Sequence, residues 1–220
     1  DFNKNDQKKI LGNVDIANIE DKFRFYKKIR KEFLTPLTFN ISDMDEALEI
    51  NENYDNIQFI IKPLQGSGGY NVNLLNNDSN IDFNDNEFIM QEYVNGISLS
   101  SSVLCHKNFA KNIMNTRLLT VNDFEKNNDY RYVGNIMPLT RESLMAETDC
   151  INKINNEMTS TSQNLSKKFK LAGSNGVDFI LNENGLYVIE INPRIQGTFE
   201  CVEKTLGINM LDAHIKACKG

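Results

Sequence analysis

The chain contains 220 residues, 40% of them hydrophobic and 25% charged, which is typical of a folded protein large enough for one core or two lobes. Because 30 Asp and Glu outnumber 24 Lys and Arg, the net charge is -6, and this argues against a nucleic-acid-binding surface. No apolar run is long enough to span a bilayer, and the sequence shows no secretory signal. We therefore expect a cytoplasmic protein that binds neither nucleic acid nor membrane.

The cysteine and histidine content argues against several kinds of catalytic site. The four cysteines lack the Cys-x-x-Cys spacing of zinc and redox motifs, so we expect reduced thiols. The two histidines, His106 and His214, would join a Ser-His or Cys-His nucleophile only if the fold brought distant residues together. The sequence therefore offers no convincing protein nucleophile.

The first predicted secondary structure is an amphipathic helix near residues 20–33. Its hydrophobic stripe includes Phe23, Tyr26 and Ile29, and basic residues surround that stripe. Lys22 lies at the start of the helix and is the cation we single out as a candidate binding residue. For the other basic residues, a solvated helix face is the better interpretation.

A glycine-rich loop follows a strand that ends at a lysine. Residues 57–62 show the apolar pattern of a buried strand, which Pro63 ends, and residues 70–75 alternate like a second strand. The loop between them can bring backbone N–H groups against phosphates, and it differs from a Walker loop and a dinucleotide fingerprint because both of those open a helix. We predict a flap at residues 64–70 that closes over a triphosphate, with a flexible surface hairpin as the alternative. The predicted phosphate contacts are Lys62, Gly66, Ser67, Gly68 and Gly69.

The middle of the chain predicts further strands and one long helix. An apolar strand near residues 87–94 runs into a turn at Asn95 and Gly96. A helix from about 141 to 170 keeps one apolar face. The strands between them are expected near residues 97–105, 110–121 and 131–137.

Residues 177–192 place acidic groups on two apolar strands, which is the most informative pattern in the chain. Asp178, Glu190 and Asn192 supply two carboxylates and an amide oxygen, the hard ligands that Mg2+ accepts beside phosphate oxygens and water. Two close carboxylates repel by about 4 kcal/mol at an effective dielectric of 20, so a cation or a shared proton is needed. We predict a magnesium site, with Mn2+ as a possible substitute. A polar hairpin with its acids in solvent is the alternative.

The loop of this hairpin decides whether the acidic groups meet. Because side chains alternate along a strand, a change of one residue in loop length moves Asp178 to the other face. We predict a three-residue loop at 183–185, so that Asn182 pairs with Leu186 and Asp178 lies opposite Glu190.

The residues after the hairpin, Asn-Pro-Arg-Ile-Gln-Gly at 192–197, add a guanidinium and an amide beside the predicted metal. Arginine suits a phosphoryl group. The pattern resembles the ATP-grasp superfamily, whose C-terminal lobe carries an Asp or Glu followed by Glu-x-Asn-x-Arg. Residues 192–210 are also similar to the corresponding segment of biotin carboxylase-type enzymes. The residues that match the superfamily signature are Asp178, Glu190, Asn192 and Arg194.

The resemblance implies an α+β fold in which two lobes with mainly antiparallel sheets clasp ATP. It places an N-terminal lobe at residues 1–92, with the flap, and a C-terminal lobe at residues 93–220, with the metal hairpin. A Rossmann-like domain usually precedes this fold in the superfamily, and we expect it to be absent from this chain.

The resemblance also implies roles for individual residues. Lys22 would reach the alpha phosphate, and Arg194, with Lys62, would act on the transferring phosphoryl group. Gln196 remains placed for substrate or phosphate, whereas Thr198 stands where a biotin carboxylase-type enzyme has glutamate, which argues against carboxylation. Residues 88–96 are similar to the hinge that reads adenine, and the candidate contacts there are Gln91, Glu92 and Val94.

Residues 88–138 resemble a group of archaeal and bacterial ATP-grasp proteins, some of which are carboxylate–amine ligases. This resemblance implies an ADP-forming ligase that activates a substrate carboxylate as an acyl phosphate and couples it to an amine. A nucleotide-binding regulatory or scaffold protein is one alternative, and a phosphotransferase or acyl-CoA-type ligase is another. The identities of the two substrates and the oligomeric state stay open.

Overall fold

The computed structural model describes residues 11–76, 81–83, 87–144 and 150–219. The first half holds a four-stranded sheet in the order β1-β4-β2-β3, with every neighbouring pair antiparallel. Its strands are β1 (Thr38–Ile41), β2 (Phe59–Pro63), β3 (Asn73–Leu74) and β4 (Phe88–Glu92). The helices of this part are α1 (Ala17–Glu20), α2 (Lys22–Ile29) and α3 (Met44–Glu52).

The second half holds a five-stranded sheet in the order β7-β6-β5-β8-β9, again antiparallel throughout. Its strands are β5 (Ile97–His106), β6 (Phe109–Thr120), β7 (Tyr132–Ile136), β8 (Gly173–Asn182) and β9 (Gly185–Asn192). The helices are α4 (Asn122–Glu125), α5 (Arg141–Leu144), α6 (Ile151–Lys168), α7 (Phe199–Leu206) and α8 (Met210–Lys219). The predicted α+β class with antiparallel sheets is confirmed. The division into lobes at residues 1–92 and 93–220 stays a prediction.

Each sheet has its own apolar core. Phe59, Ile61 and Met90, on strands of the four-stranded sheet, are buried in the first core. In the second core, α6 packs on the five-stranded sheet through residues at helical spacing such as Met158 and Leu165. None of the helices in the described ranges is long and apolar enough to cross a membrane.

The first two helices pack against the five-stranded sheet although they precede the other sheet in the chain. Ile19, Phe25 and Ile29 are buried in the core of the five-stranded sheet. The helix predicted near 20–33 corresponds to α2, which begins at Lys22 and ends at Ile29, and the separate short helix α1 precedes it. The backbone of Asp21 is extended, and its carboxylate accepts a hydrogen bond from the Arg24 N–H at 2.8 Å, which caps α2.

Two other predicted boundaries differ from the structure. The strand predicted near 70–75 is limited to β3, which pairs with β2 as a hairpin. In place of one helix near 141–170, the structure describes α5 and α6, and residues 145–149 of that prediction lie outside the described residues.

The β8–β9 hairpin has the predicted pairing of Asp178 with Glu190, but its loop differs from the prediction. Asn182 pairs with Gly185, so the loop has two residues, and the predicted three-residue loop with Asn182 opposite Leu186 is wrong. A β-bulge next to Asp178 adds one residue to β9 and restores the register, so Asp178 lies opposite Glu190 as predicted. The loop is one residue shorter than predicted and the bulge adds one residue, so the two differences cancel.

The turn between the sheets depends on a glycine. A Cβ at Gly96 would lie 2.4 Å from the carbonyl oxygen of Leu181 and 2.8 Å from a methyl group of Ile180, whereas a Cβ at Gly134 would meet nothing within 4 Å. We expect Gly96→Ala to lower the free energy of unfolding by about 1–3 kcal/mol because backbone must move to admit the methyl group. Chemical denaturation measures this, with Gly134→Ala as the matched control. Equal midpoints for the two variants would contradict the close approach.

Candidate active site

An acidic pair lies at the centre of the candidate site. Asp178 on β8 faces Glu190 on β9, and both Asp178 carboxylate oxygens are hydrogen bonded. The Ser100 hydroxyl donates to Oδ1 at 2.6 Å, and the Asn192 side-chain amide donates to Oδ2 at 2.7 Å. The β-bulge in the hairpin and the antiparallel pairing of β5 with β8 bring these four residues together.

The electrostatics of the acidic pair favour the binding of a positive charge between the two carboxylates. Burial and the neighbouring Glu190 raise the pKa of Asp178 to about 7, although the Ser100 and Asn192 hydrogen bonds and the charge of Arg194 oppose this shift. A proton or a metal cation would relieve the repulsion between the carboxylates.

Two lysines lie near the acidic pair. Lys62 is buried at the end of β2, and this burial lowers its pKa to about 8. The positive charge of Lys22 lowers the pKa of Lys62 further, whereas the negative charge of Glu190 raises it. Burial also lowers the pKa of Lys22, again opposed by Glu190. The Lys22 ammonium donates to the carbonyl oxygens of Leu64 at 3.2 Å and Gly66 at 3.0 Å. Lys22 therefore donates hydrogen bonds to the glycine-rich loop and also interacts with the charge of Glu190.

The glycine-rich loop touches the connection between β6 and β7. The Tyr132 N–H donates to the carbonyl oxygen of Gly68 at 3.0 Å, and a Cβ at Gly69 would lie 2.0 Å from the Tyr130 carbonyl oxygen. Both glycines have positive φ, at 70° and 75°. Glycine is therefore required at position 69 for its backbone conformation and for the space it leaves.

The polar side chains of the segment predicted as the hinge form hydrogen bonds within the four-stranded sheet and the residues next to it. The Gln91 amide donates to the Thr38 hydroxyl at 2.9 Å, and the Glu92 carboxylate accepts from the Leu37 N–H at 2.9 Å. The backbone N–H groups of Glu92 and Tyr93 are engaged as well, because they donate to the carbonyl oxygens of Leu37 at 2.8 Å and Gln58 at 2.7 Å. The adenine contacts of Gln91 and Glu92 stay predictions. Val94 is buried at the end of the same segment.

Two clefts meet at the acidic pair. The lysine cleft is lined by Lys22, Lys62, Gly66, Ser67, Gly68, Gly69, Gln91, Glu92 and Val94, with Asp178 and Glu190 at one side. The arginine cleft is lined by Arg194, Gln196, Asn192 and Thr198, and it shares Asp178, Glu190, Gly68 and Gly69 with the lysine cleft. The structure thus brings every residue predicted for the site to one of these two clefts. Their individual roles stay predictions, and Gln196, predicted among the cofactor contacts, borders the arginine cleft.

The side-chain amide of Gln196 packs directly against Gly176. A Cβ at Gly176 would lie 1.6 Å from the Gln196 side-chain nitrogen, and the Ser102 hydroxyl donates to the Gln196 side-chain oxygen at 3.4 Å. Sequence reasoning singled out neither Gly176 nor Ser102. The run of three serines at residues 100–102 of β5 was the signal that could have pointed to Ser102.

The donor set fits a hard divalent cation. The described ranges contain no cluster of three Asp, Glu, His or Cys residues suited to a metal, so the candidate site depends on two carboxylates and the amide of Asn192. The Asn192 nitrogen is engaged with Asp178, which leaves its oxygen available as a ligand. Oxygen ligands of this kind suit Mg2+ or Mn2+ better than zinc.

Two antiparallel sheets with paired lysines, a glycine-rich loop and an acidic hairpin define the ATP-grasp class of protein. Sequence comparison agrees, because the ATP-grasp domain family matches residues 19–198, and the chain therefore belongs to this family.

Individual relatives support this assignment. An uncharacterised protein of Methanocaldococcus jannaschii is 30% identical over 209 residues, which cover 91% of this chain and 48% of the relative. The tyramine–L-glutamate ligase of the same organism is 25% identical over 193 residues, covering 86% and 51%. A solved biotin carboxylase complex with beta-gamma-ATP from Campylobacter jejuni shares the fold, with a TM-score of 0.76 at 15% identity over 93% of this chain and 47% of that chain. The chain spans about half the length of the curated relatives it matches.

The raised pKa of Asp178 predicts a pH-dependent stability. Because the folded-state value of about 7 lies above the ordinary 3.8, the folded protein binds more protons than the unfolded chain between these values. Stability of the metal-free protein should therefore fall as pH rises from about 4 to 7. We expect Asp178→Asn to stabilise the protein at pH 8, by on the order of 1–4 kcal/mol, and much less at pH 5.

Urea denaturation in EDTA at the two pH values measures this difference. Asp55→Asn is the control, since Asp55 is exposed. A gain for Asp178→Asn that is the same at both pH values would show that the carboxyl group does not titrate in this range.

Proposed function

We propose that this chain is the ATP-grasp part of an ADP-forming carboxylate–amine ligase. The observation that carries the proposal is the position of the acidic pair, Asp178 and Glu190, which borders both the lysine cleft and the arginine cleft. A cation held there would lie where a triphosphate from one cleft meets a substrate from the other.

The lysine cleft suits the triphosphate of ATP. Lys22 and Lys62 supply positive charge, and the backbone N–H groups of the glycine-rich loop can bind phosphate oxygens. Closure of this loop excludes water, which protects a reactive phosphorylated intermediate from hydrolysis. Mg2+ on Asp178, Glu190 and Asn192 would offset the charge of the phosphate oxygens when bound.

The arginine cleft suits the acceptor substrate. A carboxylate oxygen of the substrate attacks the gamma phosphorus, the bond from that phosphorus to the beta–gamma bridging oxygen breaks, and ADP leaves with an acyl phosphate remaining. Arg194 steadies the transferring phosphoryl group through its fixed positive charge. The amine nitrogen then attacks the acyl carbon, phosphate leaves with the acyl C–O electron pair, and the amine proton passes to phosphate or solvent.

The chemistry requires no nucleophile from the protein, because the substrate carboxylate performs the first attack. Thr198 offers no carboxylate to deprotonate bicarbonate, which favours an organic carboxylate as the acceptor. The name of the tyramine–L-glutamate ligase relative supports the carboxylate–amine class. We propose small-molecule substrates of these two kinds and a cytoplasmic location.

The test of this function is Mg2+-dependent ADP formation by the full-length protein with pooled carboxylates and pooled amines. We expect Glu190→Gln to reduce the rate at least 100-fold, because it removes one of the two carboxylates of the metal site. Glu183→Gln, on the exposed loop of the same hairpin, is the control and should retain activity. ADP release that needs both pools, together with an amide product, supports the ligase.

Other products would replace this proposal with an alternative. A phosphorylated product without an amide identifies a phosphotransferase, and a thioester formed with added coenzyme A identifies an acyl-CoA-type ligase. Tight ATP binding without any turnover identifies a nucleotide-binding scaffold. Near-normal activity of Glu190→Gln would remove the metal assignment.

Lys62 gives a separate prediction about nucleotide affinity. We expect Lys62→Met to weaken ATP binding about 10- to 100-fold, because a charge-assisted contact to phosphate is lost. The wild-type affinity should fall as pH rises through about 8, where the unliganded lysine loses its proton, and Lys62→Met should lack this contribution. Calorimetric titration with a non-hydrolysable ATP analogue measures both effects. Lys111→Met, at an exposed position of β6, is the control, and equal affinities of the two variants would contradict the role of Lys62.

A further inference from the structure

Three consecutive serines interrupt the apolar pattern of β5. Ser100, Ser101 and Ser102 are all buried, and they alternate between the two faces of the five-stranded sheet. Ser101 donates to the side-chain oxygen of Asn115 at 2.6 Å, and Asn115 in turn contacts α6. Ser100 and Ser102 point to the opposite face, toward the clefts.

Ser100 holds one oxygen of the acidic pair. Its hydroxyl donates to Asp178 Oδ1 at 2.6 Å, and the two residues lie directly opposite each other on β5 and β8. Its carbonyl oxygen accepts from the Thr116 hydroxyl at 3.4 Å, and the Asn135 amide donates to that hydroxyl at 2.7 Å. The backbone that carries the Ser100 hydroxyl is therefore tied to β6 and β7 as well as to β8.

We infer that Ser100 is a positioning residue that orients the Asp178 carboxylate for a divalent cation. The inference rests on the proposed metal site. Ser100 binds one carboxylate oxygen and Asn192 binds the other, so rotation of the carboxylate about its Cβ–Cγ bond would break both hydrogen bonds. Each oxygen keeps a further lone pair for a cation.

A neutral donor is suited to this task. A lysine or arginine at position 100 would neutralise the pair and compete with a metal ion, whereas a hydroxyl fixes the carboxylate and leaves its charge in place. Ser100 acts through Asp178 and is not itself a ligand of the cation.

The experiment compares Ser100→Ala with Ser101→Ala in the full-length protein. Both changes remove a buried serine hydroxyl that donates at 2.6 Å, but only Ser100 contacts the acidic pair. Mn2+ binding in the presence of a non-hydrolysable ATP analogue is measured by electron paramagnetic resonance. We expect the Mn2+ dissociation constant to rise roughly 10-fold in Ser100→Ala and to stay within 2-fold of wild type in Ser101→Ala. Equal losses in both variants would indicate a general structural role and overturn the inference.

A double-mutant cycle separates this inference from the proposed function. Asp178→Asn should weaken Mn2+ binding, and Ser100→Ala should add little in that background because the carboxylate it orients is gone. If Asp178→Asn weakens binding but Ser100→Ala does not, the positioning role is wrong and the metal site stands. If Asp178→Asn leaves binding unchanged, both the metal site and the positioning role are wrong.

An isosteric pair keeps the test decisive if Ser100→Ala does not fold. Ser100→Thr and Ser100→Val have nearly the same shape and differ in the hydroxyl group. We expect the threonine variant to bind Mn2+ about 10-fold more tightly than the valine variant. Indistinguishable dissociation constants for this pair would overturn the inference.

Discussion

Electrostatic repulsion between Asp178 and Glu190 is the constraint on which the rest of the site depends. Each carboxylate has apolar neighbours on its own strand, and the fold still sets the two carboxylates opposite each other. Two neutral donors hold the carboxylate of Asp178, and the lysines remain at the neighbouring cleft. The paired carboxylates therefore carry an electrostatic cost, and either a shared proton or a bound cation would lower it.

The two sheets contribute different parts of this arrangement. The four-stranded sheet supplies Lys62 and the glycine-rich loop, and the five-stranded sheet supplies the acidic pair. Two contacts join the parts without any ligand: Lys22 binds carbonyl oxygens of the loop, and the N–H of Tyr132 binds the loop from the other side. A phosphate that draws the Lys22 ammonium toward itself would compete with its bonds to the loop. If phosphate binds there, its binding would be coupled to the position of the loop.

The sequence predicted the parts of the site that follow from local pattern. The predicted pairing of Asp178 with Glu190 is correct although the predicted loop length is wrong, and a strand ending in a proline was enough to place Lys62 at the glycine-rich loop. The loop length of the β8–β9 hairpin was wrong because a β-bulge has no distinct sequence signal, and here it compensated for the shorter loop.

Contacts between distant segments were beyond local pattern. The hydrogen bond from Ser100 to Asp178 joins residues 78 positions apart, and it depends on the pairing of β5 with β8. The start of α2 was predicted near residue 20 instead of Lys22 because an aspartate near a helix start suits both a cap and the first turn. The packing of Ile29 into the core of the five-stranded sheet was missed because periodicity shows which face is buried and not what covers it. Phe25, which is buried in the same core, was not part of the predicted stripe.

The contact between Gly176 and Gln196 limits how this protein can diverge. The amide occupies the space of a side chain on β8, so the two positions share one volume although 20 residues separate them. A larger residue at position 176 can be accommodated only if position 196 becomes smaller or its loop moves. Substitutions at these two positions should therefore occur together in relatives that keep this packing.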